Sequence, residues 1–140
     1  MGGFMDYKKI VNEAKEAMKM AYTPYSHFKV GAALVTEEDE IIRGCNVENA
    51  AYGPSNCAER TAFFKAVSEG KLQFKAIAIV GGPEGQIKDF CPPCGVCRQV
   101  MREFCNPKTF EIILCNAKDE IRVYTLEELL PQSFGPENLD

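Results

Sequence analysis

The run "FKAIAIVG" at residues 74–81 constrains this chain more than any other stretch. It is almost unbroken apolar sequence and reads as a strand covered on both faces. Helical patterns stand on either side of it. Upstream, residues 57–70 place Ala58, Ala62, Ala66 and Val67 along one side of a helix. Downstream, a loop rich in Gly and Pro leads into a helix from about Cys94. This helix turns Val100, Met101 and Phe104 inward and stops at Asn106-Pro107.

The other segments extend the alternation. Residues 7–21 carry Ile10, Ala14, Ala17, Met18 and Ala21 at helical spacing, with Asp6 as N-cap and Pro24 just past the end. Residues 28–35 and 41–47 are strands joined by an acidic turn at 37–40, hence a hairpin. Two strands at 110–114 and 121–124 are close enough in sequence to pair antiparallel. Thr125 and Glu128 make a capping box for a short last helix ending at Pro131. The order predicts an α/β fold, a three-layer α/β/α sandwich built on a five-stranded mixed sheet in a single domain. Two strand–helix–strand units predict parallel pairing in the middle and helices over both faces. Loops at strand ends, beside helix N-termini, are where such folds place their sites.

Composition narrows the function. A chain of 140 residues suits one domain and hardly two. A net charge of −4 argues against a nucleic-acid partner. No apolar run is long enough for a bilayer, and no charged-then-apolar leader opens the chain, so a cytoplasmic protein without membrane contact is expected. Met1-Gly2-Gly3 begins as a myristoylation signal does, but Asp6 stands where Ser or Thr is needed. Seven cysteines in such a chain point to metal binding or thiol chemistry, because disulfides do not persist in a reducing compartment.

Three of those cysteines fall at helix starts. Cys94 and Cys97 form a C-x-x-C, which suits a metal clamp or a redox pair. Cys57 sits at the start of the preceding helix, which redox chemistry leaves unexplained. Three thiols at two neighbouring helix N-termini suit one zinc ion, and Arg60 and Arg98 would favour thiolates there. Three protein ligands leave a fourth position open, as in a catalytic site. Cys91 would close it, but two prolines separate it from Cys94 and force an extended approach. Cys45, Cys105 and Cys115 read as core or surface thiols. Glu59 has two readings. With Asn56 as N-cap it is a structural N3 partner; beside a zinc-held water it is a base. At a helix end both Cys57 and Glu59 can reach one object, although residues two apart diverge in mid-helix.

Cys57-Ala58-Glu59 with Pro93-Cys94-Gly95-Val96-Cys97 resembles the cytidine deaminase family. Similarity to its small homotetrameric members extends to "PYSHFKVGAAL" (24–34), "GCNVENAAYG" (44–53) and "LEELLPQSFGPENL" (126–139). The resemblance implies hydrolytic deamination of cytidine and deoxycytidine to uridine and deoxyuridine in pyrimidine salvage. Cys57, Cys94 and Cys97 would bind one Zn2+ per subunit, and Glu59 would carry protons. It implies that Arg60 hydrogen-bonds the ligand sulfurs, that Asn46 and Glu48 hold the sugar hydroxyl, that Phe28 stacks on the pyrimidine and that Ala58 offers backbone contacts. Ala50, Tyr52 and Phe134 would reach a neighbouring subunit's site, with the C-terminal segment as an ordered lid. His27, the only histidine, does not match a ligand position. Other readings stay open: a related deaminase acting on another cytosine nucleoside such as a nucleoside antibiotic, a structural zinc module, and a dithiol oxidoreductase.

Overall fold

The computed structural model describes residues 5–139. In chain order these form α1 (Tyr7–Met18), β1 (Phe28–Thr36), β2 (Ile41–Cys45), α2 (Ala58–Ser68), β3 (Phe74–Pro83), α3 (Gly95–Phe104), β4 (Glu111–Cys115), β5 (Ile121–Thr125), α4 (Leu126–Leu129) and a 3₁₀ turn (Pro136–Leu139). The Gly2-Gly3 start lies outside the described residues. No helix among them is long and apolar enough to cross a membrane.

The five strands form one mixed sheet in the order β2-β1-β3-β4-β5. β3 is central, and its alternation sorts side chains to two faces. Ile77 and Ile79 pack with α2, α3 and α4, while Ala76, Ala78 and Val80 pack with α1. Three layers result, as expected. Parallel pairing is narrower than expected: β3 pairs parallel with β4 alone, and antiparallel with β1. The α2 crossover does return the chain in the direction of β2, but β1 already pairs with β2 on that side, so β3 docks against β1 instead.

The boundaries differ where tertiary contacts intervene. α1 ends at Met18 and not at residue 21, and Ala21 is only half-buried. β2 ends at Cys45, after which Val47 bridges to Tyr22 and Asn56. The apolar side of α2 includes Phe63, fully buried against Phe74, Phe104 and Phe110, while Val67 is half-buried. Truncating Phe63 to Ala would cost about 3–5 kcal/mol. α3 buries Cys97, Met101 and Arg102, with Val100 and Phe104 half-buried. The capping box of α4 forms as expected, with Glu128 N–H donating to Thr125 Oγ1 and Thr125 N–H donating to the Glu128 carboxylate.

Two glycines set how closely helices approach the sheet. A Cβ on Gly31 would lie 2.1 Å from the Ala14 carbonyl oxygen in α1. A Cβ on Gly44 would lie 2.4 Å from the Ala58 carbonyl oxygen in α2. The second contact seats the first turn of α2, and with it the residue just before that helix.

Candidate metal centre and cleft

That residue is Cys57. It is the N-cap of α2, with extended backbone and no capping hydrogen bond from its side chain. The N-cap is therefore one residue later than Asn56, whose amide instead donates to Thr61 Oγ1 at 3.2 Å. Glu59 consequently occupies the second position of the helix and is not an N3 capping partner. Cys94 repeats the arrangement as N-cap of α3, again with an extended backbone and no side-chain cap. Cys97 follows in the first turn of α3 and is buried.

The two helix starts bring the thiols together. Cys57 Sγ lies 3.9 Å from Cys94 Sγ, and Cys94 Sγ lies 3.5 Å from Cys97 Sγ. Zinc–sulfur bonds of about 2.3 Å in a tetrahedron require sulfurs about 3.8 Å apart. The trio therefore fits one zinc ion with a fourth position left open. Among the described residues, these three form the one cluster of potential ligand atoms close enough to share an ion. Cys91 is not part of it.

Electrostatics favour thiolate at this point. The Cys57 thiol is held at about 5, well below the ordinary value, by the hydrogen bond from Cys97 and by the Arg60 guanidinium. Cys97, which supplies that bond and is buried, moves upward in turn. Arg60 Nη2 donates to Cys57 Sγ at 3.1 Å. Arg98, expected to act on the thiols as well, does not: its Nε donates to the Pro93 carbonyl and its Nη1 to the Leu129 carbonyl, both at 2.8 Å. It braces the approach to Cys94 against the end of α4.

Glu59 is 4% exposed. Burial pushes its carboxyl up to about 7, and the neighbouring Cys57 charge adds to this. Glu59 and the cysteines Cys57 and Cys94 line a cleft of about 320 Å³, together with Val30, Asn46, Glu48, Ala58, Arg60 and Cys91. Burial raises the Cys91 thiol to about 11, as suits a neutral wall residue.

The other anticipated residues divide. Asn46 and Glu48 reach the cleft, but both also hold the protein together. Asn46 accepts from Val30 N–H and donates to the Phe28 carbonyl. Glu48 accepts from the Tyr25 and Ser26 N–H groups and from the Ser26 hydroxyl, and these bonds lower its pKa. Phe28 is 40% exposed at the start of β1 and is not among the residues lining the cleft. Ala50 is exposed in the loop after β2. Tyr52 is 71% exposed, has a left-handed backbone (φ 62°) and meets Tyr25 edge-on. Phe134 is 58% exposed. His27 is exposed near Glu84 and does not line the cleft.

The comparisons agree with this geometry. Residues 5–113 match the family model described as the cytidine and deoxycytidylate deaminase zinc-binding region. The chain belongs to this family. A cytidine deaminase of Sporosarcina psychrophila is 51% identical over 96% of each chain. One from Halalkalibacterium halodurans is 47% identical over 97% of this chain and 99% of its own. The crystal structure of a cytidine deaminase from Burkholderia pseudomallei superposes with a TM-score of 0.84 at 48% identity, covering 93% of this chain and all of the other.

Within this deaminase fold, three residues escape sequence reasoning. Ser55 and Asn56 line the cleft from the loop before α2, where polar loop residues carry no periodic signal. Arg102 is buried on the inner side of α3 and grips the C-terminal segment. Its one trace in the sequence is a charge beside the buried Met101, on a helix otherwise read as apolar inward.

Proposed function

We propose that this chain is a zinc-dependent hydrolase that converts cytidine and deoxycytidine to uridine and deoxyuridine with release of ammonia. The observation that carries the reading is the buried Glu59 lining one cleft with Cys57 and Cys94, whose sulfurs together with that of Cys97 are spaced for tetrahedral zinc. Cys57, Cys94 and Cys97 would hold the ion. When bound, zinc supplies Lewis acidity that makes water nucleophilic near neutral pH.

Glu59 moves the protons. It takes one from the water as oxygen adds to C4 of the pyrimidine, and delivers it to ring N3. It then carries the second to the exocyclic amino group, so that the C4–N bond breaks and ammonia leaves. A carboxyl shifted toward neutrality by burial suits a group that must both accept and donate. Arg60 offsets the excess charge: three thiolates and one Zn2+ leave −1 (−3 + 2), which weakens the Lewis acid.

Asn46 and Glu48 read the sugar hydroxyl. Counting their bonds supports this. Asn46 retains one N–H, and Glu48 Oε2 accepts once, from Ser26, so it has a lone pair to spare. Phe28 provides an aromatic face to the pyrimidine from the rim, and Ala58 its backbone. Ala50, Tyr52 and Phe134 complete the pocket of a neighbouring chain in a homotetramer. The rings of Tyr52 and Phe134, both mostly exposed in the single chain, support that arrangement. Seven free cysteines suit a reducing cytoplasm, where the reaction serves pyrimidine salvage.

The test is an ultraviolet assay with cytidine, deoxycytidine and free cytosine, before and after zinc removal. Zinc-dependent conversion of both nucleosides, with cytosine untouched, is expected. Turnover that survives complete zinc removal, or equal turnover of cytosine, would overturn the reading.

A further inference from the structure

The C-terminal segment is fastened to the helix that carries two of the cysteines. Arg102 is 8% exposed on α3, and its Nε donates to Ser133 Oγ at 2.7 Å. Its two terminal nitrogens engage both oxygens of Glu137, one of them at 3.2 Å. Gly135 is buried against the guanidinium: a Cβ there would lie 2.3 Å from Arg102 Nη1. Gln99, three residues earlier on the same helix face, donates to the Phe134 carbonyl at 2.9 Å. The backbone on both sides of Phe134 is thus pinned while its ring remains 58% exposed. A buried arginine bonded through each of its three nitrogens and holding an aromatic ring outward is a device for presenting that ring at a set position. Planar, forked recognition of Glu137 gives the hold its geometry.

We infer that Arg102 is a positioning residue that fixes Phe134 for nucleoside binding. This rests on the proposed reading that Phe134 contributes to a neighbouring chain's cleft. Arg102 touches no reacting atom. Its loss therefore weakens binding of ground state and transition state alike.

The test compares Arg102→Ala, Arg102→Lys, Glu137→Gln, Phe134→Ala and the Arg102→Ala/Phe134→Ala double variant, with cytidine as probe. Each is assayed for KM, kcat, zinc content and melting temperature. Both Arg102→Ala and Phe134→Ala are expected to raise KM by about tenfold, the worth of a well-placed aromatic contact, with kcat and zinc content nearly unchanged. The double variant should be no worse than Phe134→Ala, because both changes remove one effect. Arg102→Lys should recover part of the loss, and Glu137→Gln, altered only at an exposed carboxylate, should show a smaller shift in the same direction. If Phe134→Ala leaves KM unchanged, the reading of Phe134 fails and the inference falls with it. If Phe134→Ala raises KM but Arg102→Ala does not, or the double variant is additive, Phe134 keeps its place and Arg102 loses its role.

Discussion

Arg60 donates from Nη2 to Cys57 Sγ at 3.1 Å, while its Nε lies buried with no protein partner. The guanidinium is thus committed to the sulfur cluster. Removing it leaves thiolate charge uncompensated. Arg60→Ala is expected to weaken zinc retention by about 10–100-fold, the worth of one or two kcal/mol-scale hydrogen bonds to a charged group. Competition with a chromophoric chelator reads this directly. Unchanged zinc affinity together with unchanged turnover would remove Arg60 from the site.

Four cysteines stand near the cleft, and the account separates three from one. Cys57→Ala, Cys94→Ala and Cys97→Ala should each reduce zinc affinity by more than the roughly 10–100-fold lost with a ligand's supporting group. Cys91→Ser should keep zinc at the wild-type level, because Cys91 lies outside the sulfur cluster. Zinc content after dialysis against a weak chelator distinguishes them. Loss of zinc from Cys91→Ser would mean a four-thiolate, closed centre.

The two close-approach glycines predict different consequences. Gly31→Ala forces a Cβ against backbone atoms of α1, and Gly44→Ala does the same against α2. Each should cost about 1–3 kcal/mol of stability by overpacking. Gly44→Ala should also loosen zinc, because the displaced turn begins at Cys57. Gly31→Ala should not. Denaturant unfolding with zinc titration on both variants checks the contrast, and equal effects on zinc would contradict it.

Much of this was legible in the residues. Helical periodicity, apolar runs and short connections mark every helix and strand of more than four residues, and the Thr125–Glu128 capping box is readable from two letters. The sheet order was not. Local sequence marks a crossover but does not say which strand it skips, so β1 between β2 and β3 required the folded chain. The N-cap of α2 lies one residue beyond the one the sequence suggests: Asn56 is the better capping side chain, but its amide is engaged with Thr61 and Cys57 takes the cap position. Arg98 was misread because its partners, Pro93 and Leu129, are carbonyls, one of them 31 residues away. Arg102 was missed because its meaning lies in Ser133, Gly135 and Glu137, far along the chain.

The central claim is that Glu59 carries protons for a zinc centre it does not itself build. Glu59→Gln keeps the shape and burial of the side chain and removes its ability to hold a transferable proton. Turnover of cytidine and zinc content should be measured on the same preparation of this variant. The account predicts wild-type zinc content with turnover reduced by roughly 10²-fold or more. Turnover within a few-fold of wild type, with zinc in place, would contradict it and leave Glu59 as a structural residue of the helix start.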